Sequence, residues 1–383
     1  MNYRGRIVAS KSSIYLITTD KYYELIIEKD FDYQNFDIVE IEAYKKQNTL
    51  YVKNLIVMTE GQKPDGRENW MKMVYDTGLK KQFRKIHRYI QRIRNFFIKK
   101  DFIEVYTPVL SKYPAMEPNI KSFETYFRNQ EKLFLHTSPE YFMKKLLTAG
   151  FHERIFEISP VFRDSELGKL HNPEFLMIEW YRMYKPYEVL MDDLIDLIKY
   201  LTNKEKIKYN SNTIYLNKIE KITVKESFYK YADINLDRFM KIENNWKSKF
   251  FEIMVDEIEP NLGCNQPTIL YEYPRELAAL SKLKKIDKSV AKRFELYIGG
   301  TELANCFEEL TDPEIQLKRF KKQKKKRKKE NLGNYPIDKT FIKALEIGMP
   351  PSSGGALGIN RLLMILLNKK DIKETLLFPY YEL

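Results

Sequence analysis

The segment FRDSELGKLHNPEFLMIEWYR, residues 162–182, joins a charged bend to a stretch that is typical of a buried strand. An arginine at the end of a strand, here Arg163, presents a planar fork that matches phosphate oxygens. His171 and Asn172 follow in the bend, and Phe175 offers a flat apolar face for a base. The segment therefore predicts a nucleotide clamp, and the alternative is a charged hairpin that ends in a core strand.

The composition is that of a globular protein with room for two domains. Hydrophobic residues make up 43% of the 383 residues and aromatic residues 14%, so most of the chain can fold around a core. Two cysteines and four scattered histidines provide neither a disulfide framework nor a metal-ligand spacing. No apolar run approaches the length of a membrane span, and the first residues contain no apolar leader. We therefore expect a cytoplasmic protein that does not enter a membrane.

The net charge of +13 is concentrated in one run, KRFKKQKKKRKK at residues 318–329, which holds ten basic residues and no acidic one. Removing those ten charges leaves +3 for the other 371 residues. Such a run is either a solvated helix face or a contact for a polyanion or an acidic partner.

Hydrophobic periodicity divides the chain into a small β module, a linker and a larger mixed domain. Residues 1–60 alternate in about five short strands, which predicts a small barrel of the OB type or a structural cap. Residues 61–79 include a polar stretch punctuated by glycine and proline, as in a linker. From residue 80 onwards a long amphipathic helix leads into helices and strands that do not alternate regularly. Residues 80–383 therefore predict an α+β domain with a mainly antiparallel sheet, without the usual glycine-rich nucleotide loops.

Two further segments carry residues suited to chemistry. ELYIGGTELANCFEEL, residues 295–310, places Glu302 and Glu309 around an apolar patch. A buried carboxylate needs a cation, which can be magnesium bridging phosphates, a substrate ammonium or a lysine in an ordinary salt bridge. In GMPPSSGGALGINRLLMILLN, residues 348–368, small residues form a turn-like lead into an apolar helix. Arg361 lies in the first turn of that helix, where it can reach a phosphate.

These three segments, together with TSPEYFMKKLLTAG at residues 137–150, resemble the signature motifs of class II aminoacyl-tRNA synthetases over residues 80–383. Within that class the chain resembles the lysyl branch, and above all its short members that attach (R)-β-lysine to translation elongation factor P. The resemblance implies an antiparallel sheet of six or seven strands flanked by helices. It also implies a homodimer, because the segment DFIEVYTPVL at residues 101–110, with Pro108 at a strand edge or bend, usually builds a dimer interface in this class.

The resemblance also implies which residues bind ATP and Mg²⁺. Arg163 would hold the α-phosphate and Arg361 the γ-phosphate, which makes them the expected catalytic residues, while Phe175 would stack on adenine. The implied ATP-binding set is Arg163, Asp164, Ser165, His171, Asn172, Phe175, Glu302, Leu303, Gly358 and Arg361. Glu302 and Glu309 are the implied magnesium ligands.

The resemblance places the amino-acid substrate between two groups of residues. Ser138, Pro139 and Glu140 would face its backbone-side amine, and Tyr181 and Glu309 would hold its distal ammonium. The implied reaction joins the substrate carboxylate to the α-phosphorus of ATP, releases pyrophosphate and passes the aminoacyl group to an acceptor amine. The two arginines and magnesium would stabilise the charge that develops on phosphate.

Three positions distinguish this chain within the resemblance. Ser165 stands where motif 2 usually has a glutamate, so we expect slightly weaker ATP binding. Asn360 stands where an acid usually precedes the motif 3 arginine, which predicts a looser hold on Arg361. Ala356 stands where the synthetases for α-lysine have glycine, and one methyl group in a packed pocket changes specificity by about 1–3 kcal/mol.

Three functions stay open at this point. Ala356, the small N-terminal module and the short segment after Arg182 favour a ligase that modifies elongation factor P. The roughly 60 residues before the catalytic domain favour an enzyme that charges tRNA with lysine, because an OB-type module often binds RNA. A catalytically silent binding or regulatory paralogue has only Ser165 and Asn360 in its support.

Overall fold

The computed structural model describes residues 1–117, 120–164 and 166–383, so the predicted ATP-binding residue Ser165 lies outside the described part of the chain. The chain divides into two compact units. The first comprises Met1–Arg88 and Thr375–Leu383, and the second comprises Tyr89–Glu374.

The first unit contains a closed barrel of five strands in the order β1-β2-β3-β5-β4. The strands are β1 (Asn2–Ala9), β2 (Ile14–Ile17), β3 (Tyr22–Ile27), β4 (Ile38–Lys46) and β5 (Thr49–Thr59). Ile7, Leu16, Val39, Ile41 and Leu50 are fully buried inside it, as the alternating pattern requires. The barrel confirms the predicted all-β module at the N-terminus. A short helix α1 (Asn69–Lys72) follows, within the segment predicted as a linker, and then the long helix α2 (Thr77–Lys99).

The second unit is built from thirteen further strands and eight further helices within its described residues. The strands are β6 (Ile103–Glu104), β7 (Leu110–Ser111), β8 (Glu124–Phe127), β9 (Glu131–Leu135), β10 (Arg154–Phe162), β11 (Glu174–Met183), β12 (Lys206–Tyr209), β13 (Asn212–Tyr215), β14 (Glu220–Thr223), β15 (Thr268–Tyr271), β16 (Arg293–Ile298), β17 (Thr301–Glu308) and β18 (Ser352–Gly358). The helices are α3 (Glu140–Thr148), α4 (Glu188–Thr202), α5 (Val224–Ala232), α6 (Leu236–Ile242), α7 (Trp246–Ile253), α8 (Pro313–Lys329), α9 (Lys339–Gly348) and α10 (Ile359–Leu366). A π-helical turn, Met254–Ile258, continues α7, and short 3-10 helices lie at Glu259–Asn261, Arg275–Leu277 and Ile372–Thr375, whereas the 3-10 helix Tyr380–Glu382 belongs to the first unit.

An eight-stranded sheet in the order β14-β15-β16-β17-β18-β11-β10-β6 forms the centre of the second unit. Its six inner strands are antiparallel, and β14 and β6 extend the two edges with parallel pairing. The α+β class with a mainly antiparallel sheet is therefore confirmed. Among the described residues, no helix is long and apolar enough to cross a membrane.

Two local predictions were wrong. The segment at residues 101–110 is not one strand, because it contributes β6 to the large sheet and β7 to a separate three-stranded sheet. Pro108 lies between them, where its missing N–H removes no ladder hydrogen bond. The glycine-rich segment before α10 is not a turn but the inner strand β18, which pairs with both β11 and β17.

Helices α3, α8 and α9 pack beside β11 and support the region where the predicted site residues lie. Met143, Phe320 and Phe341, one from each helix, share a buried cluster with Tyr181 of β11. Sequence features at the helix ends fix this layer: the Asp312 carboxylate accepts a hydrogen bond from Ile315 N at the start of α8, and Asp338 caps α9 in the same way.

Candidate active site

A cavity of about 380 Å³ opens in the second unit over one face of the large sheet. Both predicted catalytic residues, Arg163 and Arg361, line it. The other predicted residues that line it are Ser138, Glu140, His171, Phe175, Tyr181, Glu302, Leu303 and Gly358. Folding therefore brings residues from distant motifs to one cavity. Of the remaining predicted residues that the structure describes, Pro139, Asp164, Asn172 and Glu309 do not line it.

Arg163 lies directly after β10, in the loop that connects it to β11. Its backbone N–H donates to Pro173 O at 2.9 Å, which closes the base of that loop. Its guanidinium carbon lies 5.2 Å from the centre of the Phe175 ring, and Nη1 lies 3.7 Å from Glu166 Oε2. The buried Arg163 Nε has no hydrogen-bond partner among the described residues. Because buried donors are nearly always paired, this atom indicates a place for an oxygen of a ligand.

Arg361 lies in the first turn of α10 and is held by three acceptors. Its Nη2 donates to His171 Nε2 at 2.7 Å, its Nη1 to Glu302 O at 3.1 Å, and its Nε to Leu170 O at 3.2 Å. His171 must be neutral to accept this bond. Burial, and after it the neighbouring Arg361 charge, lowers the pKa of His171, which favours that neutral form.

Polar residues around the two arginines fix the backbone. Asp164 forms an ion pair with Lys121, and Asn172 Nδ2 donates to Glu174 O at 2.7 Å. Asn360 Oδ1 accepts a hydrogen bond from Leu176 N at 2.8 Å and therefore anchors the start of α10 to β11. The residue next to Arg361 therefore carries a neutral amide, at the position where the resemblance described above led us to expect an acid.

A cluster of carboxylates lies beside Arg361. Arg361 Nη1 is 3.6 Å from Glu302 Oε2. Burial and the nearby Glu302 charge raise the pKa of Glu295, and burial with both of these carboxylates raises the pKa of Glu259 to about 7. Tyr297 Oη donates to Glu295 Oε2 at 2.7 Å. No group of three or more metal-ligating side chains occurs among the described residues, but Mg²⁺ needs only one or two carboxylates when phosphate oxygens complete its shell.

Glu309, the other predicted magnesium ligand, lies at the opposite end of β17 from Glu302. Seven residues of extended chain separate the two positions, which corresponds to roughly 20 Å. Glu309 Oε2 lies instead 2.5 Å from Lys144 Nζ, and the same ammonium lies 2.5 Å from Glu140 Oε1. The structure does not bring Glu302 and Glu309 together around one ion.

The predicted amino-acid site contains a carboxylate that the sequence analysis missed, Glu179. Ser138 Oγ donates to Glu179 Oε1 at 2.5 Å, and Tyr181 Oη donates to Glu179 Oε2 at 3.1 Å. Burial, and after it the Glu140 charge, raises the pKa of Glu179 to about 8. Glu179 lines the cavity on the same face of β11 as Phe175 and Tyr181. An acid within the buried part of the strand, two residues from the predicted site residue Tyr181 and on the same face, was the signal that could have found it.

This end of the cavity has more buried carboxyl groups than cationic side chains. Glu140 and Glu179 line it, Glu309 lies beside the lining residue Gly354, and Lys144 is the one cation among the described residues that forms an ion pair with any of these carboxylates. Burial, opposed by Lys144, raises the pKa of Glu309 to about 8. Buried carboxylates are stabilised by a further cation, so the arrangement is suited to a ligand with ammonium groups.

Strand β18 shapes the floor between the two ends. A Cβ at Gly354 would lie 2.2 Å from Tyr181 Cε1 and 2.6 Å from Glu309 Oε1, so only glycine leaves room for both side chains. Ala356, two residues further along β18, pairs with Glu179 on one side and Asn305 on the other, and it lines the cavity.

This sheet, with two arginines and several carboxylates around one cavity, is that of a class II synthetase. The chain belongs to the family described as tRNA synthetases class II (D, K and N), whose model matches residues 63–382. It is an ATP-dependent ligase of this family. The chain is 38% identical over 300 residues to the elongation factor P–(R)-β-lysine ligase of Buchnera aphidicola subsp. Acyrthosiphon pisum, which covers 76% of this chain and 92% of that protein. The protein of the same name in Mannheimia succiniciproducens is also 38% identical, with the same coverage. The lysine–tRNA ligase of Wigglesworthia glossinidia brevipalpis is 34% identical over 98% of this chain and 83% of that protein.

Proposed function

We propose that the protein activates (R)-β-lysine with ATP and transfers it to a lysine side chain of elongation factor P. The observation that carries the proposal is one cavity with two arginines at one end and an excess of buried carboxylate at the other. Such a cavity fits a triphosphate and a diamino acid side by side. The names of relatives that are 38% identical and covered over 92% of their length support this substrate and acceptor. As part of the proposal the enzyme is a homodimer and acts in the cytoplasm.

At the nucleotide end, Phe175 stacks on adenine, Arg163 binds the α-phosphate and Arg361 the γ-phosphate. The free Nε of Arg163 and the fixed guanidinium of Arg361 supply donors that need no rearrangement as charge develops on phosphate. Glu302 keeps its predicted role as a magnesium ligand, and Glu295, on the paired strand β16, is the second ligand in place of Glu309. When bound, Mg²⁺ supplies neutralisation of the phosphate charge.

At the amino-acid end, Ser138, Glu140 and Glu179 receive one amine of the substrate, and Tyr181 and Glu309 receive the distal ammonium. The carboxylate of the substrate then points towards Arg163, where its oxygen attacks the α-phosphorus and pyrophosphate leaves. The acceptor amine subsequently attacks the carbonyl carbon of the mixed anhydride and releases AMP. The methyl group of Ala356 narrows the floor opposite Glu179 and so favours the β-isomer.

Pyrophosphate exchange followed by transfer tests the proposal. ATP–pyrophosphate exchange is measured with (R)-β-lysine and with α-lysine, and the activated residue is then offered to purified elongation factor P and to lysine tRNA. We expect exchange to be faster with (R)-β-lysine than with α-lysine, and we expect radiolabelled (R)-β-lysine to become attached to elongation factor P. Preference for α-lysine together with charging of tRNA would contradict the proposal, and absence of exchange with either amino acid would leave a silent paralogue.

The second candidate is an enzyme that charges tRNA with lysine. It is favoured by one observation: the similarity to the Wigglesworthia lysine–tRNA ligase extends over 98% of this chain. The charge of the first 60 residues weakens it, because they hold eight basic and nine acidic residues, without the positive excess that RNA phosphates attract. The predicted division into a module at 1–60, a linker at 61–79 and a catalytic domain at 80–383 is part of our proposal for either enzyme.

A further inference from the structure

The basic run lies on α8, and the helix sorts it into two faces. Its two arginines, Arg319 and Arg327, are partly or fully buried, whereas seven of its eight lysines are exposed and Lys324 is half-buried. We call the lysine side the α8 lysine face; it consists of Lys318, Lys321, Lys322, Lys324, Lys325, Lys326, Lys328 and Lys329. The sequence run is therefore not one uniform solvated surface.

The arginine side of α8 holds two segments of the cavity wall. Arg319 Nη1 donates to Ala279 O and to Ser281 O, each at 2.7 Å, on both sides of the cavity-lining Leu280. Arg327 Nη1 donates to Glu117 O at 2.8 Å and to Ile120 O at 3.2 Å, and both of these residues line the cavity.

Arg327 is also fixed from two other directions. Its guanidinium carbon lies 3.7 Å from the centre of the Tyr335 ring, and Nη2 donates to Leu332 O at 2.6 Å. With only 1% of Arg327 exposed, these contacts make the last turn of α8 a rigid part of the wall. A partner on the lysine face is therefore separated from the cavity wall by one helix diameter, about 10 Å.

The lysine face has almost no internal compensation. The one ion pair found along it among the described residues joins Lys326 and Glu330 at 3.8 Å. Pairs such as Lys321 with Lys325 and Lys322 with Lys326 lie four residues apart on the helix, where like charges are destabilising. The positive potential of these lysines also extends to α7. Burial lowers the pKa of Lys247 in that helix, and the charges of Lys322 and Lys326 lower it further. Without an anionic partner, this concentration of charge only weakens the helix.

We propose that the α8 lysine face docks an acidic surface of the protein that accepts the activated amino acid, a proposal that rests on the proposed function. The helix begins four residues after Glu309 and its last turn contacts Glu117 and Ile120, so it runs along the wall from the amino-acid end of the cavity. Its 17 residues span about 25 Å, the length of a protein contact patch. RNA is the less favoured occupant, because single-stranded RNA is usually gripped with stacking aromatic side chains and the aromatic residue of α8, Phe320, is fully buried.

A charge-removal variant and a matched control test the docking surface. The test variant carries Lys321→Gln, Lys322→Gln, Lys325→Gln and Lys326→Gln, all at exposed positions. The control removes the same number of charges at four exposed lysines of the same unit but outside α8: Lys204→Gln, Lys206→Gln, Lys208→Gln and Lys218→Gln. Each protein is assayed for ATP–pyrophosphate exchange with (R)-β-lysine and for transfer to purified elongation factor P between about 50 and 300 mM salt.

We expect the test variant alone to raise the KM for elongation factor P by about tenfold or more at low salt and to show a weaker salt dependence of this KM than the wild type. Its exchange rate should stay within about twofold of the wild type, because the lysines lie outside the cavity lining. An unchanged KM in the test variant, or an equal change in the control variant, overturns the docking proposal. The proposed function is tested separately, by exchange and transfer with the wild type, and stands if both are observed. If the test variant instead loses affinity for lysine tRNA and retains elongation factor P, the face binds RNA and the choice of a protein partner is wrong.

Discussion

Replacement of Lys144 by methionine tests the charge balance on which the amino-acid site depends. Lys144 Nζ contacts Glu140 and Glu309 at 2.5 Å each, and the side chain is only 1% exposed. Methionine retains the length and loses the charge. Removal of one partner from a buried ion pair typically costs about 3–5 kcal/mol, because the other charge is left unpaired. At about 2 °C per kcal/mol for a unit of this size, Lys144→Met should lower the melting temperature by roughly 6–10 °C.

The pH dependence of that loss distinguishes charge from packing. The pKa of Glu309 is raised from the ordinary value to about 8, so its burial makes the unfolding free energy fall as the pH rises from about 4.5 through about 8. Lys144 opposes this fall because it favours the ionised carboxylate. The loss in Lys144→Met should therefore be larger at pH 9 than at pH 6.

Thermal unfolding followed by circular dichroism at three pH values measures this effect. The control is the double variant Lys144→Met with Glu309→Gln, in which both buried charges are removed and part of the loss should be recovered. An equal loss at every pH, with no recovery in the double variant, would mean that Lys144 acts by packing and that the carboxylates do not need a cation.

Four further variants test individual contacts. Arg163→Ala should abolish ATP–pyrophosphate exchange while the melting temperature changes little, and retained exchange would mean that the clamp is misplaced. Gly354→Ala should raise the KM for the amino acid and destabilise the fold by about 1–3 kcal/mol, because its Cβ would lie 2.2 Å from Tyr181; a normal KM would contradict this geometry. Ala356→Gly should shift kcat/KM towards α-lysine by about tenfold or more relative to (R)-β-lysine, and an unchanged ratio would remove Ala356 from the specificity argument. The unfolding free energy of the wild type, measured in urea, should decrease as the pH falls below about 6.5, because His171 takes up a proton in the unfolded chain and resists it in the folded one. His171→Gln should lack this part of the decrease. Identical plots of unfolding free energy against pH for the two proteins would refute a neutral His171.

The sequence alone could group Arg163, His171 and Phe175 at one side of the cavity because these residues are close in the chain. Arg163, His171 and Phe175 lie within 13 residues, and the loop between β10 and β11 keeps them together. Arg361 joins them only because β18 pairs with β11 and delivers the start of α10 to that loop. That long-range pairing was supplied by the resemblance to a known family and not by any local pattern.

Two carboxylates of the cavity, the missed Glu179 and the predicted Glu302, differ in how far the strand pattern alone could have placed them. Glu179 obeys the ordinary alternation of a strand, since Phe175, Met177, Glu179 and Tyr181 all face the cavity, so the period of two could have identified it. Glu302 does not obey it. A register shift between β16 and β17, next to the pair Tyr297 and Glu302, places Glu302 on the cavity side together with Asn305 and Phe307. An irregularity of this kind re-aims a side chain without a clear sequence signal.

The basic run shows why a count of charges cannot define a surface. Arginine and lysine contribute equally to the net charge of +13, yet Arg319 and Arg327 donate their hydrogen bonds to backbone carbonyls next to the cavity. Only the lysines are presented to a partner. The salt dependence of acceptor binding should therefore reflect at most the eight lysines of α8 and not all ten basic residues of the run. Because the arginines connect α8 to Glu117 O and to the Ser281 carbonyl next to Leu280, a change in docking can alter the cavity wall without a change in the sheet beneath it.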